Sequence, residues 1–343
     1  MRNNFKSLAL GLISLVLIII VIGKVVIVAQ APITGEWKAD ARLEKQGREG
    51  ETRDGKIQLN LSRSTNGDNH NQFGSDFAYS DLQGLSEAQT QNGRVSFKLV
   101  REAGTVYFDG SFASGKGSGT FRFDPDYKYF SAMKQRGFDF EKSTSKNGRN
   151  DIEGRMLSAA MLNVTAVLAD DLRSVGFGDL DVDDLFKATI FKIDSKFMAE
   201  MKATGFPDLK MEDLVKARVF KIDADFVKKV SEMGFGTKDF EQLVKYSIFK
   251  VTPEYLAELK AAGFDKLSSE EVVKFRIFKV TPELLTDLKN EGYGKLSAEE
   301  VVKFRIFNID RDFIRRAKAE DPNISVEEMV EMKIGVRRPK GSN

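Results

Sequence analysis

The chain has 343 residues, enough for two domains that each bury a core of their own. Its 53 lysines and arginines almost balance its 51 aspartates and glutamates, so no net field favours nucleic acid as a partner. The chain has no cysteine, which excludes disulfides, thiolate metal sites and cysteine nucleophiles.

A long apolar run follows the first charged residues. It has 22 residues, counted from Leu8 to Ala29, with Lys24 as its one charge, and a bilayer core needs about 20. The positive N-terminus is expected to stay in the cytoplasm, which makes the chain a single-pass protein of a bacterial inner membrane with its C-terminal part in the periplasm. Residues 29–31 have the small-x-small form of a signal-peptidase site, so the alternative is a periplasmic or secreted chain cleaved after Ala31. The length of the run favours the uncleaved signal anchor, over residues 1–31.

Residues 33–124 predict a small antiparallel β-barrel or sandwich. Apolar and polar residues alternate over 57–61, 95–99, 106–112 and 121–123, which is the period of half-buried strands. Turn residues separate the last three runs at hairpin spacing, so these runs predict a meander. Phe73, Phe77 and Tyr79 predict a further strand. The only histidine, His70, lies in a polar run that predicts an exposed loop, and it has no partners for a metal or catalytic site.

Trp37, the only tryptophan, follows Gly35-Glu36 in the first predicted strand. This Gly-x-Trp resembles the first-strand mark of lipocalin-type barrels, which implies a barrel mouth that holds an apolar ligand. The alternative is a core filled by phenylalanine side chains. The inward positions are large, which favours the filled core.

The C-terminal half is self-similar with a period of 29 residues, and the repeats occupy residues 165–336. Residues 125–164 predict a half-repeat and a junction, and residues 337–343 predict a disordered basic tail. Each unit predicts two short helices that are too small to bury their apolar faces alone, so the units are expected to stack into an α-solenoid. The period is carried by Phe191, Phe220, Phe249, Phe278 and Phe307.

The helix ends of each unit are predicted by capping residues. Thr281 precedes Pro282 as an N-cap, and Gly292 ends the helix that begins there. Ser268 and Glu271 predict a capping box at the second helix. The acidic cluster Asp179, Asp181, Asp183 and Asp184 resembles a calcium loop. Two of its members lie three periods before Ser268 and Glu271, so we interpret the cluster as helix caps.

One lysine recurs in every unit, and the stack is expected to align these lysines along one surface. The functional interpretation is an anion-binding or protein-binding stripe. The alternative is ion pairing within each helix, because a glutamate lies four residues before the lysine in several units. The candidate interaction surface consists of Lys187, Lys216, Lys245, Lys274 and Lys303.

The repeat over residues 251–264, which begins Val-Thr-Pro-Glu-Tyr, resembles helical repeats in extracytoplasmic parts of certain bacterial proteins. Some of those proteins carry a membrane metallopeptidase domain of the beta-lactam-sensor antirepressor type. The β segment from Gly35 to Phe123 is also similar to what precedes those repeats, and the resemblance covers about nine-tenths of the chain. This chain lacks the His-Glu-x-x-His zinc motif, so the resemblance implies the interaction or sensor region without its peptidase.

Three functions follow from these patterns. The favoured one is a non-enzymatic interaction or scaffold protein that binds a protein or cell-envelope partner through the repeats, with a role in envelope signalling. The alternative is a small-ligand sensor that uses the β domain. An enzyme is disfavoured because no catalytic constellation is present, and we predict no catalytic, metal or cofactor-binding residues and no cofactor. Self-association stays open.

Overall fold

The structure is a computed structural model, and it describes residues 32–41, 55–65, 69–142, 152–176, 178–234 and 239–336. The predicted membrane anchor and the predicted basic tail lie outside the described residues. The chain divides into two compact units, one up to Asp126 and one from Tyr127 onwards. In the described part, no single helix is both long and apolar enough to cross a bilayer.

In the part of the chain that the structure describes, the first unit is one antiparallel sheet of seven strands in the order β3-β2-β1-β7-β6-β5-β4. The meander of the last strands is confirmed, and β1 joins it to β2 by pairing with both β7 and β2. A single sheet means that the sandwich interpretation is wrong. Over the described residues the outer strands β3 and β4 each pair on one side, so the barrel is a half-barrel. The strands are β1 (Ile33–Asp40), β2 (Lys56–Thr65), β3 (Asn69–Ala78), β4 (Leu82–Gln83), β5 (Asn92–Arg101), β6 (Gly104–Ala113) and β7 (Lys116–Pro125).

Two sequence predictions about β3 were wrong at its ends. His70 was expected in a loop, yet it lies in β3 opposite Ser64 of β2. Hydrogen bonding to a neighbouring strand here overrides a polar composition that is typical of loops. Tyr79 was expected in the strand, but it begins the 3₁₀ turn Tyr79–Asp81.

The buried face of the sheet is filled by aromatic side chains around Trp37, which is 1% exposed. Its indole Nε1 donates a hydrogen bond to the carbonyl oxygen of Asp109, 3.2 Å away. Gly119 lies directly opposite Trp37 on β7, and Gly110 is opposite Gly119 on β6. A Cβ atom added at Gly119 would lie 2.8 Å from the indole Nε1, and one at Gly110 would lie 2.7 Å from Cζ2. The two glycines therefore provide the space that the indole occupies.

Three phenylalanine rings surround the indole and complete this core. Phe97 and Phe108 meet Trp37 edge-on, with centroid distances of 5.5 and 6.3 Å. Phe112 lies 5.6 Å from it at a tilt of 45°. All three rings are almost fully buried. This packing supports the filled core over the ligand-binding barrel mouth.

Within the described residues the second unit contains 14 helices, which follow one another in seven pairs. The first helices of neighbouring pairs contact each other. For example, α1 contacts α3, and α3 contacts α5. The second helices form a parallel row, in which α4 contacts α6 and α12 contacts α14. The helices are α1 (Tyr127–Gln135), α2 (Ile152–Leu162), α3 (Ala166–Ser174), α4 (Val182–Phe191), α5 (Ser195–Ala203), α6 (Met211–Val219), α7 (Ala224–Glu232), α8 (Phe240–Ile248), α9 (Pro253–Ala261), α10 (Ser269–Ile277), α11 (Pro282–Asn290), α12 (Ala298–Ile306), α13 (Arg311–Glu320) and α14 (Val326–Lys333).

The predicted helix ends are confirmed. Thr281 caps α11 by accepting a hydrogen bond from the Leu284 amide, with Pro282 at the first helical position. Ser268 and Glu271 form the capping box of α10. Gly292 ends the α11 segment with φ +91°, in the left-handed region that favours glycine. The caps fix where each helix starts and stops, and hence which residues face outwards.

The predicted half-repeat at the start of this unit is accompanied by a second helix. α1 ends at Gly137 with φ +92°, as predicted, and α2 follows it within the stretch assigned to the junction. The Tyr129 hydroxyl donates to the Val164 carbonyl at 2.8 Å, just as the Tyr255 hydroxyl donates to the Val280 carbonyl at 2.9 Å. The first pair therefore makes the same internal contact as a later one, although its two helices are separated by a longer connection.

Candidate interaction surface

The predicted lysine column lies on the second helices, where four of the five lysines form ion pairs. The Lys187 ammonium is 2.7 Å from Glu212 and 3.2 Å from Asp184. Lys245 is 3.8 Å from Glu270. Lys216 is paired with Glu241, and Lys303 is paired with Glu327. These hydrogen bonds to carboxylates raise the pKa of Lys216 and Lys303. Most of the column is therefore charge-neutralised.

The pairing is not the one that the sequence predicted. An acidic residue four positions before each lysine was expected to pair with it on the same helix. Instead, Glu212 pairs with Lys187 of the preceding repeat rather than with Lys216 of its own helix. The structure therefore uses these charges to join neighbouring second helices, whereas the within-helix partner of Lys187 is Asp184, three residues away.

Lys274 is the exception in this column. Within the described residues no carboxylate lies at ion-pairing distance from it, although Glu299 occupies the position that pairs in the other repeats. A cleft of about 290 Å³ lies here between α10 and α12. Its walls carry both the polar ends of Lys274 and Glu299 and the apolar side chains of Phe278 and Ile306. An apolar recess thus opens on the outer face of the second helices.

An exposed apolar residue recurs at the end of the second helices from α4 onwards, and in the first five of them it lies three residues after the predicted lysine. Its members are 46–54% exposed over five consecutive repeats, and the shortened final repeat continues the series with Ile334 at 55%. The equivalent residue of the first pair, Met161, is buried. We call this series the apolar column; it consists of Ile190, Val219, Ile248, Ile277, Ile306 and Ile334.

Two residues after each of the first five members of the apolar column, the chain adopts a left-handed conformation without glycine; after the last member, Ile334, the left-handed residue is Gly335. Lys192, Lys221, Lys250 and Lys279 have φ values of +52 to +54°. Their side chains are exposed, and none of them forms an ion pair with another described residue. Asn163 and Asn308 hold the same conformation at either side of the four lysines. All four of these lysines therefore carry positive charge unpaired among the described residues, whereas in the predicted column this holds for Lys274 alone.

A lysine in this conformation is unfavourable by about 1–2 kcal/mol, because its Cβ approaches the following carbonyl oxygen. The same repeats place glycine at the left-handed end of their first helices, for example Gly205 and Gly263. A lysine at a helix C-terminus does complement the helix dipole, and that is the ordinary structural explanation. A lysine inside the last turn complements the helix dipole equally well, and it does not require a strained backbone conformation.

Hydrogen bonds join each of these turns to the next repeat. Arg218 donates to the carbonyl oxygen of Lys192 at 2.7 Å, and Arg276 donates to that of Lys250 at the same distance. Arg305 donates to the Phe278 carbonyl at 3.1 Å, and Ser247 donates to the Phe220 carbonyl. Each donor directly precedes a member of the apolar column. The turns therefore form one continuous edge along the repeats.

We call this edge the Ile-Phe-Lys ridge. In each repeat it presents an exposed aliphatic side chain, a half-buried phenylalanine and an exposed lysine or asparagine. The sequence contained the signal for it, because Ile-Phe-Lys recurs with the 29-residue period. It was used as a marker of the repeat and not as a surface. The ridge consists of residues 190–192, 219–221, 248–250, 277–279 and 306–308.

Two members of the acidic cluster near α4, Asp181 and Asp184, cap that helix, as predicted. Asp181 accepts a hydrogen bond from the Asp184 amide at 2.9 Å, and Asp184 accepts one from the Asp181 amide at 3.2 Å. Burial raises the pKa of Asp184. Within the described part of the chain, no group of three or more histidine, aspartate or glutamate side chains is arranged to hold a metal ion.

Comparison of the chain with models of protein families, with curated proteins and with solved structures returned no match. The resemblance to repeats attached to membrane metallopeptidases therefore stays a prediction.

Proposed function

We propose that this chain is a non-enzymatic interaction or scaffold protein that binds a protein or cell-envelope partner through its helical repeats. The observation that carries the proposal is the apolar column. Single exposed apolar side chains are ordinary on protein surfaces. Here, however, an exposed apolar side chain recurs at the same position of successive repeats. A regular apolar series on one edge is typical of a surface that is covered by a partner.

The arrangement of the repeats supports a macromolecular partner over a small molecule. The helix pairs stack as an α-solenoid of 29-residue units, and each pair contacts its sequence neighbours. Such stacks offer a long surface over many units. A ridge that continues over five units suits a partner of comparable length.

The proposal places the repeats outside the cytoplasm, anchored by the apolar run over residues 8–29. The lack of native cysteine makes this testable. A Lys228→Cys variant, expressed in bacteria, should react with a membrane-impermeant maleimide in intact cells whose outer membrane is permeabilised. Labelling that requires lysis of the inner membrane would refute the placement.

The binding proposal is tested by comparing variants of the full chain as bait. The five-site variant Ile190→Ser, Val219→Ser, Ile248→Ser, Ile277→Ser and Ile306→Ser removes most of the apolar column. The control is Val167→Ser, which alters a residue of α3 that is 74% exposed and outside the column. We expect a captured envelope component, once purified, to bind wild type and control alike and the five-site variant at least tenfold more weakly. Equal binding to all three baits would refute the proposal.

A further inference from the structure

We propose that the Ile-Phe-Lys ridge binds an extended, polyproline-II-like segment of a partner protein, with an apolar residue at every third position and acidic residues between. This inference rests on the proposed function and names the chemistry of the partner. The spacing of the ridge, its charge and its width all favour such a segment.

The spacing fits a chain with three residues per turn. Neighbouring packed helices lie about 8–10 Å apart, so equivalent side chains on successive second helices are separated by about the same distance. A polyproline-II segment rises about 3.1 Å per residue with three residues per turn, or about 9.3 Å per turn. Every third side chain would then meet one member of the apolar column. A β-strand fails this test, because its residues i and i+3 point to opposite faces.

The positive charge of the ridge favours a partner with acidic residues. Lys192, Lys221, Lys250 and Lys279 are exposed and form no ion pair with described residues. The lysines of the neighbouring column are mostly neutralised by carboxylates of the next repeat. An unpaired cation therefore lies beside successive members of the apolar column, and a segment that alternates apolar and acidic residues complements both.

The ridge is too narrow for a helical partner. It presents one aliphatic side chain per repeat that is about half exposed. An amphipathic helix buries an apolar stripe at least about 100° wide, formed by residues three and four apart. A single column would leave much of that stripe in water. An extended segment makes one apolar contact per turn, which matches what the ridge offers.

The test uses the full chain in a mild non-ionic detergent and fluorescein-labelled 15-residue peptides, with binding followed by fluorescence anisotropy. The test peptide repeats leucine, aspartate and proline five times. One comparison peptide replaces leucine by serine, one replaces aspartate by lysine, and one is an acidic heptad peptide that forms a helix. We expect the test peptide to bind at least tenfold more tightly than each comparison peptide, and its affinity to fall with added salt.

Variants locate the binding on the ridge. Lys192→Asn, Lys221→Asn, Lys250→Asn and Lys279→Asn together keep the backbone conformation, since Asn163 and Asn308 already hold it. We expect this variant to bind the test peptide about tenfold more weakly. The matched control removes four exposed lysines of the first helices and should bind like wild type. Its changes are Lys202→Gln, Lys229→Gln, Lys260→Gln and Lys289→Gln.

The other outcomes each overturn the inference. Equal affinity for the serine peptide would mean charge attraction alone, and tighter binding of the heptad peptide would mean a helical partner. If phosphatidylglycerol added to the micelles displaces the bound test peptide, and the affinity for the peptide does not depend on its leucines, the ridge binds a lipid surface instead. Sedimentation that shows a dimer dissociated by the five-site apolar variant would mean that a second copy covers the ridge. If the test peptide does not bind, but binding of a purified partner still requires the apolar column, the proposed function stands and only this inference is refuted.

Discussion

The guanidinium of Arg276 donates a hydrogen bond to the backbone carbonyl oxygen of Lys250, 2.7 Å away. The same guanidinium lies 3.6 Å from the centre of the Tyr255 ring. Burial raises the pKa of Tyr255 to about 12, so its hydroxyl stays protonated and donates to Val280. One side chain thus fixes the strained turn of the preceding repeat and packs on the first helix that follows that turn. Arg218 has the same relationship with Lys192 and Phe197.

This relationship predicts the effect of Arg276→Gln. The variant loses a charge-assisted hydrogen bond to a carbonyl and a cation–π contact, so we expect the free energy of unfolding to fall by about 2 kcal/mol. Urea denaturation followed by circular dichroism measures the change. Arg316→Gln is the control, because Arg316 is exposed and lies 6.0 Å from the nearest ring that it faces. An equal effect of the two substitutions would show that the contacts to Lys250 and Tyr255 are not stabilising.

The left-handed lysines predict a stabilising substitution. Lys221→Gly removes a penalty of about 1–2 kcal/mol, while glycine adds about 0.5–1 kcal/mol of unfolded-state entropy. We therefore expect the free energy of unfolding to rise by up to about 1.5 kcal/mol. Lys228→Gly, in the interior of α7, should lower it by about 1 kcal/mol. The opposite signs make the test independent of the general effect of glycine, and a loss of stability at both positions would contradict the strain argument.

The sequence predicted the helical unit well because its information is local and repeated. Caps such as Thr281 and Ser268 act over three residues, and the 29-residue period presents each of them several times. The half-closed sheet was harder, since its register depends on pairing between β1 and β7, whose paired residues run from Ile33 with Phe123 to Asp40 with Lys116 and are far apart in the chain. His70 was predicted in a loop for the same reason. Its polar neighbours have the composition of a loop, and only their pairing with another strand shows that they form a strand.

The candidate surface was predicted only in part. The helical period placed Lys187 and its equivalents on one face, but periodicity along a helix cannot tell whether a carboxylate pairs within its own repeat or with the next. Glu212 does the latter. Backbone conformation is also invisible in the sequence when the residue is neither glycine nor asparagine, so the left-handed turn at Lys250 was not expected. For both reasons the sequence predicted the neighbouring lysine column, and not the ridge, as the interaction surface.

The capping boxes predict a loss of stability in acid. Hydrogen bonds from the backbone amides of Ser268 and Ser297 lower the pKa of Glu271 and Glu300 below the ordinary value of 4.5. Their contribution is therefore fully present above pH 4.5 and is lost as the pH falls through the folded-state pKa. The variant Glu271→Gln with Glu300→Gln keeps the hydrogen-bond acceptors but does not titrate. We expect it to lose less stability between about pH 5 and pH 3 than wild type. Identical losses would show that these caps do not contribute to acid sensitivity.

The space around Trp37 predicts that Gly119→Ala and Gly110→Ala are strongly destabilising. A methyl group at either position would overlap the indole ring, which has no room to move between Phe97 and Phe112. Overpacking of this kind lowers the free energy of unfolding by about 1–3 kcal/mol, and here we expect the upper end of that range.

The measurement is specific, because Trp37 is the only tryptophan in the chain and its fluorescence reports on the β unit alone. Urea titrations should show an earlier red shift in both glycine variants. Ser111→Ala, on an exposed position of β6 next to Gly110, is the matched control and should change stability by less than about 0.5 kcal/mol. If Gly119→Ala and Gly110→Ala unfold like wild type, the indole has free space beside it, and a cavity for an apolar ligand in the half-barrel becomes the better interpretation.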